Sequence, residues 1–130
     1  MKGRGFVDGG ARGNPGPAGA GAVLLGDRPL TISEYLGAAT NNVAEYTALI
    51  LLLRKAVELG YNELEVFADS ELMVRQINGQ YKVKDEKLRA LCFQAAESIA
   101  KLRKFSLTHV PRAQNKAADK LVNEAIDRGR

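Results

Sequence analysis

Four carboxylates stand where acids can do chemistry: Asp8 in FVDGG, Glu45 in NNVAEY, Asp69 in EVFADSE and Asp119 in NKAADK. Asp8 and Asp69 each close a short apolar run that reads as a strand, so both fall at a strand's C-terminal end. If the two strands are parallel neighbours, their carboxylates lie side by side, where α/β sheets place ligands. Glu45 is early in the helix that leads towards the Asp69 strand, and Asp119 is on a helix that follows the last strand. Four acids gathered this way repel one another and raise one another's pKa values. Divalent cations remove that penalty, and an all-carboxylate set suits hard Mg²⁺ or Mn²⁺ rather than zinc.

Each acid taken alone also has a plain structural explanation. Aspartate before glycine is a common turn pair, which would account for Asp8. With Asn42 as helix cap, N-V-A-E has capping-box spacing, so Glu45 could simply bond back to the backbone. Asp69 immediately precedes a helix, an N-cap position that aspartate favours. Asp119 lies between Lys116 and Lys120 and reads by itself as a solvated helix face with weak ion pairs. The case for chemistry therefore rests on convergence, which is a matter of topology.

The elements that would bring the acids together can be read along the chain. Residues 3–8 form a strand, AGAGAVLLG (18–26) a second and TISEYLG (31–37) a third, joined by short connections as in an antiparallel meander. From 42 to 59 the apolar residues Val43, Tyr46, Ile50, Leu53 and Val57 recur at helical steps, with Gly60 as stop signal. LEVFAD (64–69) is a strand and SELMVRQING (70–79) a short helix. Residues 86–104 form another helix, with Leu88, Leu91, Cys92, Ala95, Ile99 and Leu102 inward. FSLTHV (105–110) is a strand broken by Pro111, and a last helix covers about 115–127. A meander followed by alternating strands and helices predicts one α/β domain, residues 1–130, with a mixed sheet.

Composition narrows the classes. The 130 residues, 45% hydrophobic and 26% charged, suit a globular domain able to bury a core. The net charge of +4 favours polyanionic partners only mildly. A single cysteine, Cys92, excludes an internal disulfide and a cysteine-rich zinc site. No signal-type apolar segment and no run long enough to span a bilayer is present, so a cytoplasmic protein without membrane association is expected. The glycine-rich opening is not a nucleotide cradle: GARGNPG lacks the Walker lysine with its Ser/Thr, and DGGARGNPG does not fit GxGxxG.

Taken together, FVDGGARGNPGPAGAG, TNNVAEYTAL, VFADSELMVRQING and HVPRAQNKAADKLVNEA closely resemble the type 1 ribonuclease H family. The match in order and spacing runs from Phe6 to about Asp127. The resemblance implies a five-stranded mixed sheet of order 3-2-1-4-5 with helices on both faces. It implies Mg²⁺- or Mn²⁺-dependent endonucleolytic hydrolysis of the RNA strand of RNA–DNA hybrids, leaving 5′-phosphate and 3′-hydroxyl ends. Asp8, Glu45, Asp69 and Asp119 fall on that family's four catalytic acids, the ligands of two metal ions. Such ions can clamp a scissile phosphate, one activating water and the other stabilising the leaving oxygen.

The resemblance also extends to substrate contacts. Asn14, Asn41, Asn42 and Gln76 match positions where the family sets amides and backbone groups against the hybrid's minor groove, where the 2′-hydroxyl marks RNA. Backbone groups near Gly9, Gly10 and Ala11 should approach the RNA strand, and Thr40 with Asn14 looks like the pocket for a DNA-strand phosphate. Without the family, Asn14 before Pro15 is an ordinary turn residue, and Asn41 or Asn42 an ordinary helix cap. For the auxiliary residue before the last acid there are two candidates, His109 and Arg112. His109 fits by count but reads as strand; Arg112, after Pro111, is preferred, since a loop guanidinium can reach a phosphate.

One departure from many relatives matters. In place of a basic, tryptophan-bearing protrusion the chain has only GQYKVKDEK, and it has no tryptophan. Lys82, Lys84 and Lys87 are interleaved with acids, so a weaker grip on the DNA strand and salt-sensitive turnover are expected. No separate hybrid-binding domain and no obligate protein partner is expected, and a monomer is the default. Two other functions stay open: a nuclease of the same fold that also takes double-stranded RNA, and a silent module that holds hybrids without cutting.

Overall fold

The computed structural model describes all residues, 1–130. Five strands, β1 (Lys2–Ala11), β2 (Gly16–Leu25), β3 (Leu30–Ala39), β4 (Glu63–Ala68) and β5 (Lys104–His109), form one sheet in the order β3-β2-β1-β4-β5. The first three pair antiparallel, because turns of four residues join them and no longer crossover is available. β4 and β5 run parallel to β1, each reached through helical crossovers. The mixed sheet is as the sequence pattern predicts, and its strand order is the one the family resemblance implies.

The helices are α1 (Asn41–Leu59), α2 (Glu71–Ile77), α3 (Glu86–Ile99) and α4 (Lys116–Arg128), with a single 3₁₀ turn at Arg112–Gln114 before the last. α1 lies across β1 and β2 and also packs on α3, while α4 covers β1, β2 and β3 from the opposite face. Being covered on two sides, α1 buries residues around most of its circumference, including Tyr46, Leu49, Leu52 and Leu53. Burial of each such side chain is worth about 1.5–3 kcal/mol. Gly60 ends α1 at φ 97°, a left-handed conformation that glycine adopts without strain.

The differences from the sequence expectations are local and have physical causes. β1 continues to Ala11, so Asp8 lies inside a paired strand, opposite Gly21, and is not a turn residue. α3 ends at Ile99 rather than 104, because the chain must turn back to start β5. The amides of Arg103 and Lys104 both bond to the Asn62 carbonyl there. Cys92 is half-buried rather than fully inside.

Two glycines of the opening stretch serve helix packing. A Cβ on Gly9 would fall on the Ala44 carbonyl and the Glu45 amide of α1, and one on Gly21 on the Ala118 carbonyl of α4. Their missing side chains let both helices close onto the sheet at the end that carries the acids. Gly9, expected to leave room for an RNA strand, is needed first by the first turns of α1.

Candidate active site

The register settles the question that the two strand-end acids raise. In the parallel β1–β4 pair, Phe6 stands opposite Phe67 and Val7 opposite Ala68, so the next residues, Asp8 and Asp69, are side by side. Glu45 reaches the same place from α1. One carboxylate oxygen from each of Asp8, Glu45 and Asp69 lies within 4.8 Å of the others. Asp119, in the first turn of α4, lines the same cleft. The cleft encloses about 550 Å³, and Gly9, Gly10, Ala11, Asn41 and Arg112 also contribute to its wall.

The structural explanations for the individual acids do not hold. Thr40, not Asn42, caps α1: its Oγ1 accepts from the Val43 amide at 3.2 Å. With the cap two residues earlier, Glu45 stands too far along α1 to close a capping box. Ser70, not Asp69, caps α2, its Oγ accepting from the Met73 amide at 3.3 Å. Asp8 is only 5% exposed. Asp119 is half-buried and has Arg112 Nη2 3.5 Å from its Oδ1, whereas neither flanking lysine pairs with it. All four carboxylates are thus released from local duties and face one cavity.

The electrostatics follow from that crowding. Burial, together with the charges of Asp69 and Asp119, pushes the Asp8 carboxyl up to about 8. Burial and the nearby Asp8 and Asp69 raise Glu45 well above the usual carboxylate range, against a small opposing pull from Arg112. The Glu45 Oε2 is shut off from solvent with no hydrogen-bond partner. An unpartnered buried oxygen is costly in a folded protein. Oxygen-only donors, converging negative charge and an orphaned buried carboxylate oxygen together fit a hard divalent cation.

The rim is built by a short relay of amides. The Asn41 amide N–H donates to Asn14 Oδ1 at 2.9 Å, and the Ala11 N–H donates to Asn41 Oδ1 at 2.8 Å. This ties the β1–β2 turn to the start of α1. It also occupies both side-chain oxygens, so Asn14 and Asn41 have their NH₂ groups left, as donors, for a ligand. Asn42 is exposed beside them, and Thr40 is half-buried with its hydroxyl engaged as the cap.

Asn14, Thr40 and Asn42 stand outside the lining of the cleft, next to Asn41, and Gln76 and His109 are not brought to it. Gln76 is 9% exposed, and its Oε1 accepts from the Tyr46 hydroxyl at 2.7 Å, which ties it to the core. His109 pairs in register with Ala68 on β5 and lines a separate cleft between α2 and β5, with Glu71, Arg75 and Asn78. Arg112, on the 3₁₀ turn, stands at the acid cleft instead. The sequence expectations missed Asn115, a residue 1% exposed whose Nδ2 donates to the Val7 carbonyl at 2.8 Å. An asparagine at the start of a helix reads as a cap, and nothing in the sequence shows that its side chain turns to the sheet.

Comparison with known proteins places this arrangement. A family model described as reverse transcriptase-like matches residues 6–125. The chain is 48% identical over 125 residues to the bifunctional protein Rv2228c of Mycobacterium tuberculosis, covering 93% of this chain and 34% of that protein. Ribonuclease HI of Halobacterium salinarum is 43% identical over 125 residues, covering 94% of this chain and 63% of the relative. The chain therefore spans about a third to two thirds of these relatives' length. The solved N-terminal RNase H domain of Rv2228c superposes with a TM-score of 0.94 at 45% identity, covering 98% of this chain and 100% of that one. LC11-RNase H1, solved in complex with an RNA/DNA hybrid, gives a TM-score of 0.90 at 44% identity, covering 97% of each chain.

Proposed function

The chain belongs to the type 1 ribonuclease H family, and from that premise we propose that it is a metal-dependent endonuclease cutting the RNA strand of RNA–DNA hybrids. The observation that carries the proposal is the convergence of Asp8, Glu45 and Asp69 within 4.8 Å, with Asp119 on the facing wall. The solved complex of the 44%-identical LC11-RNase H1 with a hybrid supports the choice of substrate.

Asp8, Glu45, Asp69 and Asp119 would hold two Mg²⁺ or Mn²⁺ ions. When bound, such ions supply an activated water and charge stabilisation at the scissile phosphate and the leaving 3′ oxygen. The protein's own part is positioning. Asp8 within β1 and Asp69 just after β4 are fixed by the sheet register, and Glu45 by the cap and packing of α1. Arg112, 80% exposed in its side chain and loosely paired with Asp119, is free to swing onto a phosphate. The amide donors of Asn14 and Asn41, with the backbone of Gly9, Gly10 and Ala11 along the cleft, are set to face the RNA strand's 2′-hydroxyls. A ribose 2′-hydroxyl accepts from such donors, and a deoxyribose has no oxygen at that position to accept. Cleavage would leave 5′-phosphate and 3′-hydroxyl ends.

The four acids and Arg112 all come from one chain, so no second copy is needed to assemble the cleft. No helix is long and apolar enough to cross a membrane. Asp8→Asn and Asp69→Asn test the proposal. Each should abolish Mg²⁺-dependent hydrolysis of a hybrid while the circular dichroism spectrum stays that of the wild type. Turnover within a few-fold of wild type in either variant would refute the role given to the acids.

A further inference from the structure

Resting on the reading of the acids as a metal centre, we infer that Asn115 is a positioning residue for that centre, a single buried side-chain amide that holds Asp8 and Asp69 in register. Its Nδ2 donates to the carbonyl of Val7, which forms the peptide bond to Asp8, at 2.8 Å. The same nitrogen lies 3.5 Å from Asp69 Oδ1. The backbone carbonyl of Asn115 separately accepts from the Asp119 amide at 3.1 Å, an ordinary bond of the first turn of α4 that a side-chain substitution leaves in place. From one side chain that is 1% exposed, Asp8 is thus reached through the backbone beside it and Asp69 directly.

The residue forgoes its local alternative to do this. An asparagine preceding a helix ordinarily turns its side-chain oxygen onto the first-turn amides. Asn115 makes no such bond, and its Oδ1 is buried with no partner at all. The side chain is oriented by what its nitrogen reaches, and the chemistry explains the amide. Val7 O is an acceptor only, and so is the Asp69 carboxylate, so the group between them must donate twice. Aspartate has no hydrogen to give at neutral pH, and leucine fills the space without donating.

Groups that orient a metal-binding carboxylate typically change metal affinity by about 10–100-fold when removed. The test is a Mn²⁺ titration by calorimetry, without nucleic acid, on the wild type, Asn115→Leu and Asn115→Ala, with melting curves alongside. Both variants should bind Mn²⁺ about 10–100-fold more weakly. Their kcat on a hybrid at saturating substrate should fall while KM stays within about threefold, because the substrate-facing rim is untouched. A role limited to stability would lower the melting temperature and leave Mn²⁺ affinity unchanged well below it. Either folded variant binding Mn²⁺ within twofold of a wild type that binds and cuts would overturn the inference and leave the functional reading standing. Should neither variant fold, the wild-type side-chain amide decides by NMR. The Asn115 NH₂ signals should move during Mg²⁺ titration in step with the Asp8 and Asp69 amides, and fixed signals would overturn the inference.

Discussion

Asp8→Asn should kill the enzyme and stabilise the metal-free protein, and the second effect is the sharper one. Burial and neighbouring carboxylates hold the Asp8 carboxyl at about 8, against an ordinary 3.8. The unfolded chain gives up this proton near pH 4, whereas the folded chain keeps it until about pH 8. Between those values the folded state binds more protons, so wild-type stability falls as pH rises through the window. At about 1.36 kcal/mol per pH unit the full shift would correspond to ~6 kcal/mol above pH 8. Water in the open cleft screens part of that, so a realised gain of about 1–3 kcal/mol is the sensible expectation. For a chain of 130 residues, that is a rise in melting temperature of about 4–11 °C. The assay is thermal unfolding in EDTA across pH 4–9 for wild type and variant. The two curves should meet near pH 4 and separate progressively towards pH 8. Saturating Mg²⁺ should then raise the wild type, by about 2.7 kcal/mol at a hundred times its Kd, and leave the variant nearly unmoved. An Asp8→Asn protein that melts no higher than wild type at pH 8, or that shows the same pH dependence, would refute the crowding of the acids.

Other consequences are quicker to test. Gly9→Ala should lose about 1–3 kcal/mol, because its Cβ would meet α1 backbone that cannot rotate away. Its turnover should drop at least about tenfold as Glu45 is displaced. In Gly10→Ala the new Cβ meets Val122 Cγ1 at an ordinary 3.7 Å, so the melting temperature should stay within about 2 °C of wild type. Arg112→Ala should lower kcat/KM by about tenfold or more, and His109→Ala by less than about threefold; steady-state kinetics with the larger loss at His109 would reverse that assignment. Hybrid affinity should fall steeply with salt, and replacing the exposed Lys82 or Lys84 by Gln should in each case reduce the slope of log affinity against log salt by about one, measured by hybrid titrations across salt concentrations.

Much of this was legible in the sequence because the informative features are topological. Two acids at the ends of predicted strands become neighbours as soon as those strands are parallel, and the β1–β4 register makes them so. What could not be read were choices between adjacent residues of similar chemistry. Thr40 and Asn42 are both fair caps, as are Ser70 and Asp69, and the structure uses Thr40 and Ser70, which frees both acids. Gln76 presents the right group for a minor groove, but its place on α2 points it at Tyr46. Asn115 is the reverse case: a residue that looks like a cap turns its side chain to the Val7 carbonyl of β1, 108 positions earlier. Glycine richness likewise reads as turn or phosphate loop, whereas Gly9 and Gly21 lie within paired strands and admit helices.

The central claim is that this cleft cuts RNA only when it is paired with DNA and only when its acids hold a divalent cation. The direct measurement incubates the protein with end-labelled RNA–DNA hybrid, duplex RNA and single-stranded RNA, each with Mg²⁺, Mn²⁺ or EDTA, and resolves both strands. Cleavage of the RNA strand of the hybrid alone, with 5′-phosphate and 3′-hydroxyl ends and none in EDTA, is the predicted result. Metal-dependent cutting of duplex RNA at a similar rate would contradict the specificity, and an intact hybrid under every metal condition would contradict the account as a whole.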